Sequence, residues 1–251
     1  MNLYDNVAQT PFQLDLLRSA VKYQQWSLQA VENFLGNNIL EIGAGIGNMS
    51  RWLPLKESLI LSEVDSKMLP ELKNTVNKTF GFNQNVEVLH INLSKDWKKD
   101  LINKNIDTIV SFNVMEHVED DYLFFADLVD ILKQNKTNNL KRIITFVPAH
   151  KLAYNSIDKN YDHFRRYSIS DLKKIKNLVI PQADFFARYF NSFGLIGWFL
   201  HGNILKRKEV TSSMVNSFET ICPIIKPIDN FLQTKLKCPF GQSVFSVVSF
   251  K

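Results

Sequence analysis

Short apolar runs recur through the first 150 positions: NILEI (38–42), SLILSEV (58–64), VEVLHI (86–91), IDTIVSF (106–112) and RIITFVP (142–148). Each is separated from the next by sequence with helical periodicity, and strands alternating with helices predict a parallel sheet covered on both faces. Ahead of them, Leu14, Leu17, Val21, Leu28, Val31 and Leu35 stand at helical spacings, which predicts one amphipathic helix over 12–35. After Pro148 the rhythm changes. A polar, aromatic-rich stretch (149–167) leads to the helix ISDLKKIKNL, and ADFFARYF and SVFSVVSF read as two further strands. Between these strands lie FGLIGWFLHGNIL and a proline-punctuated helical region, 212–237. No internal repeat interrupts the pattern, so the expectation is one domain over 1–251, with a helical lid (1–36), a ligand-binding core (37–148) and an elaborated last third (149–251) that holds an acceptor and closes the sheet.

Composition changes this picture little. The 251 residues carry 30 Lys+Arg against 25 Asp+Glu, a net charge of +5 that tilts the chain toward acidic ligands without marking nucleic acid. Cys222 and Cys238 stand outside metal-ligand spacing, which reads as two reduced thiols and a cytoplasmic setting. The first ten residues lack a basic segment followed by an apolar one, and no apolar run approaches the ~18 residues of a membrane span.

The candidate chemistry begins directly after the first run, where EIGAGIG places three of the nine glycines at alternate positions. Ligands of open parallel sheets bind beyond the carboxyl ends of the strands, and glycine lets them approach the main chain closely. The dinucleotide fingerprint is G-x-G-x-x-G, whereas this chain has Glu41 followed by G-x-G-x-G. A carboxylate there repels pyrophosphate and welcomes a cation, which favours an adenosyl ligand bearing a sulfonium over NAD.

With these residues the chain resembles the class I S-adenosylmethionine-dependent methyltransferases. The resemblance implies an α/β fold with a doubly wound, mostly parallel seven-stranded sheet of Rossmann-like kind. It also implies S-adenosyl-L-methionine as cofactor, with S-adenosyl-L-homocysteine as product. Gly43, Ala44, Gly45 and Gly47 then match the cofactor turn, and Glu41 the acid before it. Glu63 is the expected ribose ligand, with Asp65 as the competing choice. Asn92 and Leu93 fall at the adenine position, where relatives have an acid, and Asn113 and Val114 fall beside the methionine portion. Asp107, Glu116 and His117 read as capping or loop-ordering groups outside the catalytic set. No metal is expected, because the end of the fourth strand offers Asn113 and no second acid nearby.

The loop VPAHKLAYNSIDKNYDHFRRYSISDL is similar to a subgroup with a pattern near Y-x-x-x-D…H-x-R-R-Y-S, which also shares the later Tyr189-Phe190-Asn191, Gly194, Gly197-Trp198 and Gly241-Gln242-Ser243. In this reading Tyr154, Tyr161, Arg165, Arg166 and Tyr167 bind the acceptor, and His150 and His163 compete as general base. An arginine pair in a pocket expects an anion; the opposing reading has Arg165 and Arg166 on the surface, paired with Asp158 or Asp162. Tyr23 and Trp26 serve either the lid or ordinary packing. The leading expectation is an O-methyltransferase of a small acidic molecule, at a carboxylate or hydroxyl, with no nucleic-acid partner. The subgroup resemblance implies one alternative, a methyltransferase of lipid- or glycan-linked intermediates at the membrane surface, and the apolar stretch at 190–200 suggests another, a non-catalytic membrane-associated binding module.

Overall fold

A computed structural model describes residues 11–91 and 97–251. Seven strands form one sheet in the places the pattern indicates: β1 (Asn38–Ile42), β2 (Ser58–Glu63), β3 (Val86–His90), β4 (Thr108–Phe112), β5 (Lys141–Pro148), β6 (Asp184–Phe190) and β7 (Ser243–Phe250). Their order is β3-β2-β1-β4-β5-β7-β6, parallel from β3 to β5, with β7 antiparallel to both neighbours. β1 connects outward to β2, while β3 returns across the sheet to β4. The crevice beyond the carboxyl ends of β1 and β4 is therefore the topological switch point.

Period-two alternation sorts the strand side chains into two cores. Leu40, Ile42, Ile60, Ile109, Ile143 and Val147 pack with α4 (Asp121–Gln134) and α6 (Ile169–Val179) on one face. Ile39, Leu59, Leu61, Val110, Ile144 and Phe146 pack with α2 (Val21–Val31), α3 (Leu69–Phe80) and α8 (Ser212–Thr234) on the other. Both faces are covered, which is why these strands read as nearly continuous apolar runs.

The helix expected over 12–35 is two helices, α1 (Pro11–Leu17) and α2, followed by a 3-10 turn, Glu32–Phe34. Ser19 Oγ donates to the Leu16 carbonyl at 2.8 Å, Ala20 N closes on Leu17 O, and Ala20 leaves helical geometry at φ −78°, ψ 53°. A serine side chain competing for backbone groups thus ends α1 where hydrophobic periodicity alone continues. No side chain of its own caps α2. Glu219 of α8 does so from across the fold, accepting the Lys22 and Tyr23 amides at 2.8 and 3.0 Å.

α8 runs through Pro223 and Pro227, both exposed. Past β5 the chain forms a short helix, α5 (Ser156–Asn160), and after β6 it forms α7 (Ser192–Phe199), which continues as a π-helical turn, Leu200–Ile204. Cys222 is buried, Cys238 is half-buried, and both are free. No helix among the described residues is long and apolar enough to cross a membrane.

Candidate active site

A cavity opens at the switch point. Its floor is the turn after β1, and the glycines there answer to geometry. Gly43 has φ +72°, and a β-carbon on it would stand 2.5 Å from Val114 Cγ2; at Gly47, φ +87°, one would stand 2.8 Å from Thr75 Cγ2. Side chains at either position would collide as well as strain the backbone. The Gly43 and Ala44 amides both donate to the Ser62 carbonyl at 2.9 Å, which ties this turn to β2.

Two carboxylates face the cavity from the ends of β1 and β2. Glu41 is buried and accepts a hydrogen bond from Ser50 Oγ at 2.5 Å; burial pushes its carboxyl up to about 7, against the Ser50 bond and aided by the nearby Glu63 charge. Glu63 Oε2 accepts the Gly45 amide at 2.6 Å, and Oε1 accepts the Val64 and Asp65 amides at 2.8 and 2.9 Å. Burial raises its pKa, with these amides opposing. Glu63 therefore shapes the glycine turn as well as presenting a carboxylate to it. Asp65 does not line the cavity; it accepts the Lys67 amide at 2.9 Å.

Asn113 and Val114 line the opposite wall, Asn113 at φ +53° with its amide on the Phe146 carbonyl. Asn92 and Leu93 lie outside the described residues. The roof comes from the amino-terminal helices through Leu14, Leu17, Tyr23 and Gln24. Asn48 Nδ2 holds the Leu14 carbonyl at 2.7 Å, and Arg51 reaches both the Arg18 carbonyl and Gln24. Tyr23 and Trp26 divide the two readings offered for them. Tyr23 reaches the cavity, whereas Trp26 packs on Phe190 at 4.4 Å and donates to Asn230 at 3.0 Å in the core.

The loop after β5 is arranged differently from expectation: Tyr154, Tyr161, Arg165, Arg166, Tyr167, His150 and His163 are all absent from this cavity's wall. Asp158, fully buried, accepts Arg166 Nε and His163 Nδ1, each at 2.8 Å, and the Asn155 amide at 3.0 Å. Burial works to raise the Asp158 pKa, but the His163 bond and the Arg166 charge outweigh it and hold the carboxyl below its ordinary range. Arg166 also donates to the Ala149 carbonyl and stacks 4.6 Å over Trp198. It is 2% exposed, neither on the surface nor facing the cavity. Arg165 pairs with Asp121 at 2.9 Å and donates to the Glu119 carbonyl. The Tyr167 hydroxyl bridges Met115 O and Asp121, Tyr154 donates to His163 O, and Tyr161 accepts the Val210 amide. These groups satisfy one another because a buried charge left without a partner is costly. His150 stacks on Tyr189 at 4.6 Å, and burial, then Arg166, lowers its pKa.

Of the residues set aside in the sequence, His117 lines the cavity and Glu116 is buried next to it. The 3-10 turn Met115–His117 follows β4 and places His117 on the cavity wall. Behind it, the His163 ring meets it edge-on at 4.7 Å. Burial, then the neighbouring His163, lowers the His117 pKa to about 3, so its imidazole is neutral. Glu116 is fully buried, neither carboxylate oxygen has a hydrogen-bond partner among the described residues apart from its own main-chain amide, and burial pushes it up to about 8. The position of Glu-His immediately after a strand end was the available signal; that His163 returns to it from 46 residues later was not visible. Asp107 lies at the opposite end of β4, where it accepts the Asn37 and Asn38 amides.

A glycine turn that a β-carbon would fill, with buried carboxylates at two adjacent strand ends, fits an adenosyl cofactor bearing a cation. Residues 40–137 match the family described as methyltransferase domain. Among solved structures, the chain is similar to an S-adenosylmethionine-dependent methyltransferase of Thermotoga maritima, described as a possible histamine N-methyltransferase, at 14% identity and TM-score 0.59, covering 95% of this chain and 94% of that one. It is similar to an Aquifex aeolicus S-adenosylmethionine-dependent methyltransferase at 13% identity and TM-score 0.55, over 96% and 98% of the two chains. A third is Haemonchus contortus phosphoethanolamine N-methyltransferase 2, in complex with phosphomonomethylethanolamine and S-adenosylhomocysteine; there identity is 11% and TM-score 0.60, over 98% of this chain and 59% of that one. No curated protein matches by sequence. Residues 40–137 thus match a methyltransferase domain, and the chain as a whole shares the fold of S-adenosylmethionine-dependent methyltransferases.

Proposed function

We infer that the enzyme methylates a weakly acidic hydroxyl, phenolic or enolic, on a small acceptor with an apolar body, which narrows the small acidic acceptor expected from the sequence. The observation that carries this reading is the wall beyond the glycine turn. Leu17, Tyr23, Phe112 and Val118 line it with neutral His117, while both arginines are committed to Asp121 and Asp158. An acceptor carboxylate would leave water with no guanidinium waiting for it; a hydroxyl enters neutral at a smaller desolvation cost. One neighbour is named as an N-methyltransferase and another as a possible one, but an ammonium acceptor calls for a free carboxylate on the cavity wall, and there Glu41 is bonded to Ser50 and Glu63 to three amides.

In this reading Glu63 and the glycine turn hold the cofactor's ribose, and Glu41 faces its cationic end. The bound cofactor supplies a sulfonium methyl: the acceptor oxygen forms the new C–O bond, the C–S electron pair returns to sulfur, and the hydroxyl proton leaves to water. Placement by the roof and the Met115–His117 turn contributes on the order of 7 to 11 kcal/mol of barrier lowering for a well-aligned pair. Labelled cofactor offered with matched panels of phenols and enols, carboxylic acids and amines tests the reading; label on the hydroxyl panel is expected, and label confined to amines overturns it. A lipid-linked acceptor is the second reading, favoured by Ile221, Ile224, Ile228 and Phe231, exposed along one face of α8. Transfer to a vesicle-borne acceptor would decide for it.

A further inference from the structure

We propose that Glu116, His117 and His163 form a binding site for one divalent transition-metal ion in the inner wall of the cavity. One ligating atom from each lies within 4.8 Å of the others. Three ligands ~2.0–2.2 Å from one ion stand ~3.3–3.8 Å apart, so side-chain rotations that move the ligand atoms by up to about 1 Å close the site. Two separate parts of the fold are needed to build it. Glu116 and His117 come from the 3-10 turn after β4, and His163 comes from the loop behind α5.

The independent observation is Glu116. Its carboxylate is 0% exposed and, apart from its own main-chain amide, neither oxygen has a hydrogen-bond partner among the described residues. A buried carboxyl in that condition requires an explanation, and an ion against its oxygens supplies one. The outer contacts agree. His163 Nδ1 is bonded to Asp158 at 2.8 Å, which leaves Nε2 as the ligand nitrogen, and Asp158 is itself fixed by Arg166 and the Asn155 amide. A carboxylate behind a ligating imidazole sets its tautomer and raises its basicity. The His117 ring is held by the Asp162 main chain. The sequence reading looked for a second acid beside Asn113; the fold brings a second histidine instead.

Two imidazoles and one carboxylate favour Zn²⁺, Mn²⁺, Fe²⁺ or Co²⁺ over Mg²⁺ and Ca²⁺, which take oxygen ligands. Three protein ligands leave positions open, and His117 is the ligand on the cavity wall, so the open side is the acceptor's side. A hydroxyl bound there ionises more readily, its proton passing to water and its oxygen remaining on the ion with no change of oxidation state. That role rests on the hydroxyl-acceptor reading; the binding site itself does not.

The test uses chelator-stripped protein titrated with Co²⁺ and followed by its visible ligand-field bands, with Zn²⁺ and Mn²⁺ by calorimetry. One ion per chain is expected, bound about 100-fold less tightly by Glu116→Gln and by His117→Gln, with circular dichroism retained in both variants and S-adenosylhomocysteine affinity retained in Glu116→Gln as the check of folding. Absence of stoichiometric binding by the wild type, or equal binding by Glu116→Gln, overturns the site. If the ion binds as expected and label goes only to amines, the site stands and the hydroxyl-acceptor reading falls.

Discussion

The turn after β1 and the loop after β5 are the two polar regions at the carboxyl rim of the sheet, and they are built on opposite plans. In the first, Glu41 and Glu63 are anchored from behind, by Ser50 and by main-chain amides, while still facing the cavity. In the second, Asp158, His163 and Arg166 bond to one another and Tyr167 to Asp121 of α4, and none of them lines that cavity. The first region faces the cavity. The second holds the Met115–His117 turn in place, through the Tyr167 hydroxyl on Met115 O and the His163 ring against His117. Chemically rich residue types clustered at one rim thus divide between contact and support.

The sharpest way to break that division is Arg166→Ala. If the loop is support, removing one partner of this buried pair costs about 3–5 kcal/mol in chemical unfolding, while cofactor affinity in the folded fraction changes little. Unchanged stability with a raised acceptor KM would make the loop a binding surface after all.

Glu41 carries the next largest effect. Its folded-state carboxyl lies at about 7, above the ordinary 4.5, so the native state keeps a proton that the unfolded chain has already released. Stability from this group therefore falls as pH rises between about 4.5 and 7 and stays lost above that, a difference of roughly 3 kcal/mol. Glu41→Gln should accordingly gain on wild type between pH 5 and pH 8 in ligand-free melting. Cofactor binding should run the other way in wild type, tightening as pH rises through 7 because the cation prefers the ionised carboxylate. Parallel pH slopes for the two proteins would remove Glu41 from the cationic end.

Glu63→Ala should weaken S-adenosylhomocysteine binding about 10- to 100-fold by calorimetry, the equivalent of one or two charged hydrogen bonds, and Asp65→Ala should not. The smallest effect is expected at His150, stacked on Tyr189 beside the Gly241 amide. His150→Gln should alter kcat less than about twofold. A steep loss below neutral pH that vanishes in the variant would return His150 to the base role.

The glycine turn on the cavity floor was legible in the sequence because backbone geometry dictated it. Gly43 and Gly47 must be glycine at their dihedral angles, and acids at consecutive strand ends follow from where a parallel sheet presents them. The strands were legible for a related reason, since both faces are covered and the runs are continuously apolar. The acceptor side was not. Arg165, Arg166 and His163 have the same identities whether they grip a ligand or one another, and only the three-dimensional return of the loop decides which. His117 was passed over because a histidine after a strand end has no periodicity to mark it. The break between α1 and α2 escaped because one serine hydroxyl, not the apolar pattern, makes it.

That break has a practical consequence. Leu14 lies over Gly45, where a β-carbon would come within 3.2 Å of it, and Asn48 grips the Leu14 carbonyl, so the first helix is latched to the glycine turn on the cavity floor. Filling the cavity must steady that latch, and the hinge at Arg18–Ala20 becomes a gauge of occupancy: protease nicking there slows when the product analogue is added, a signal readable before any acceptor is known.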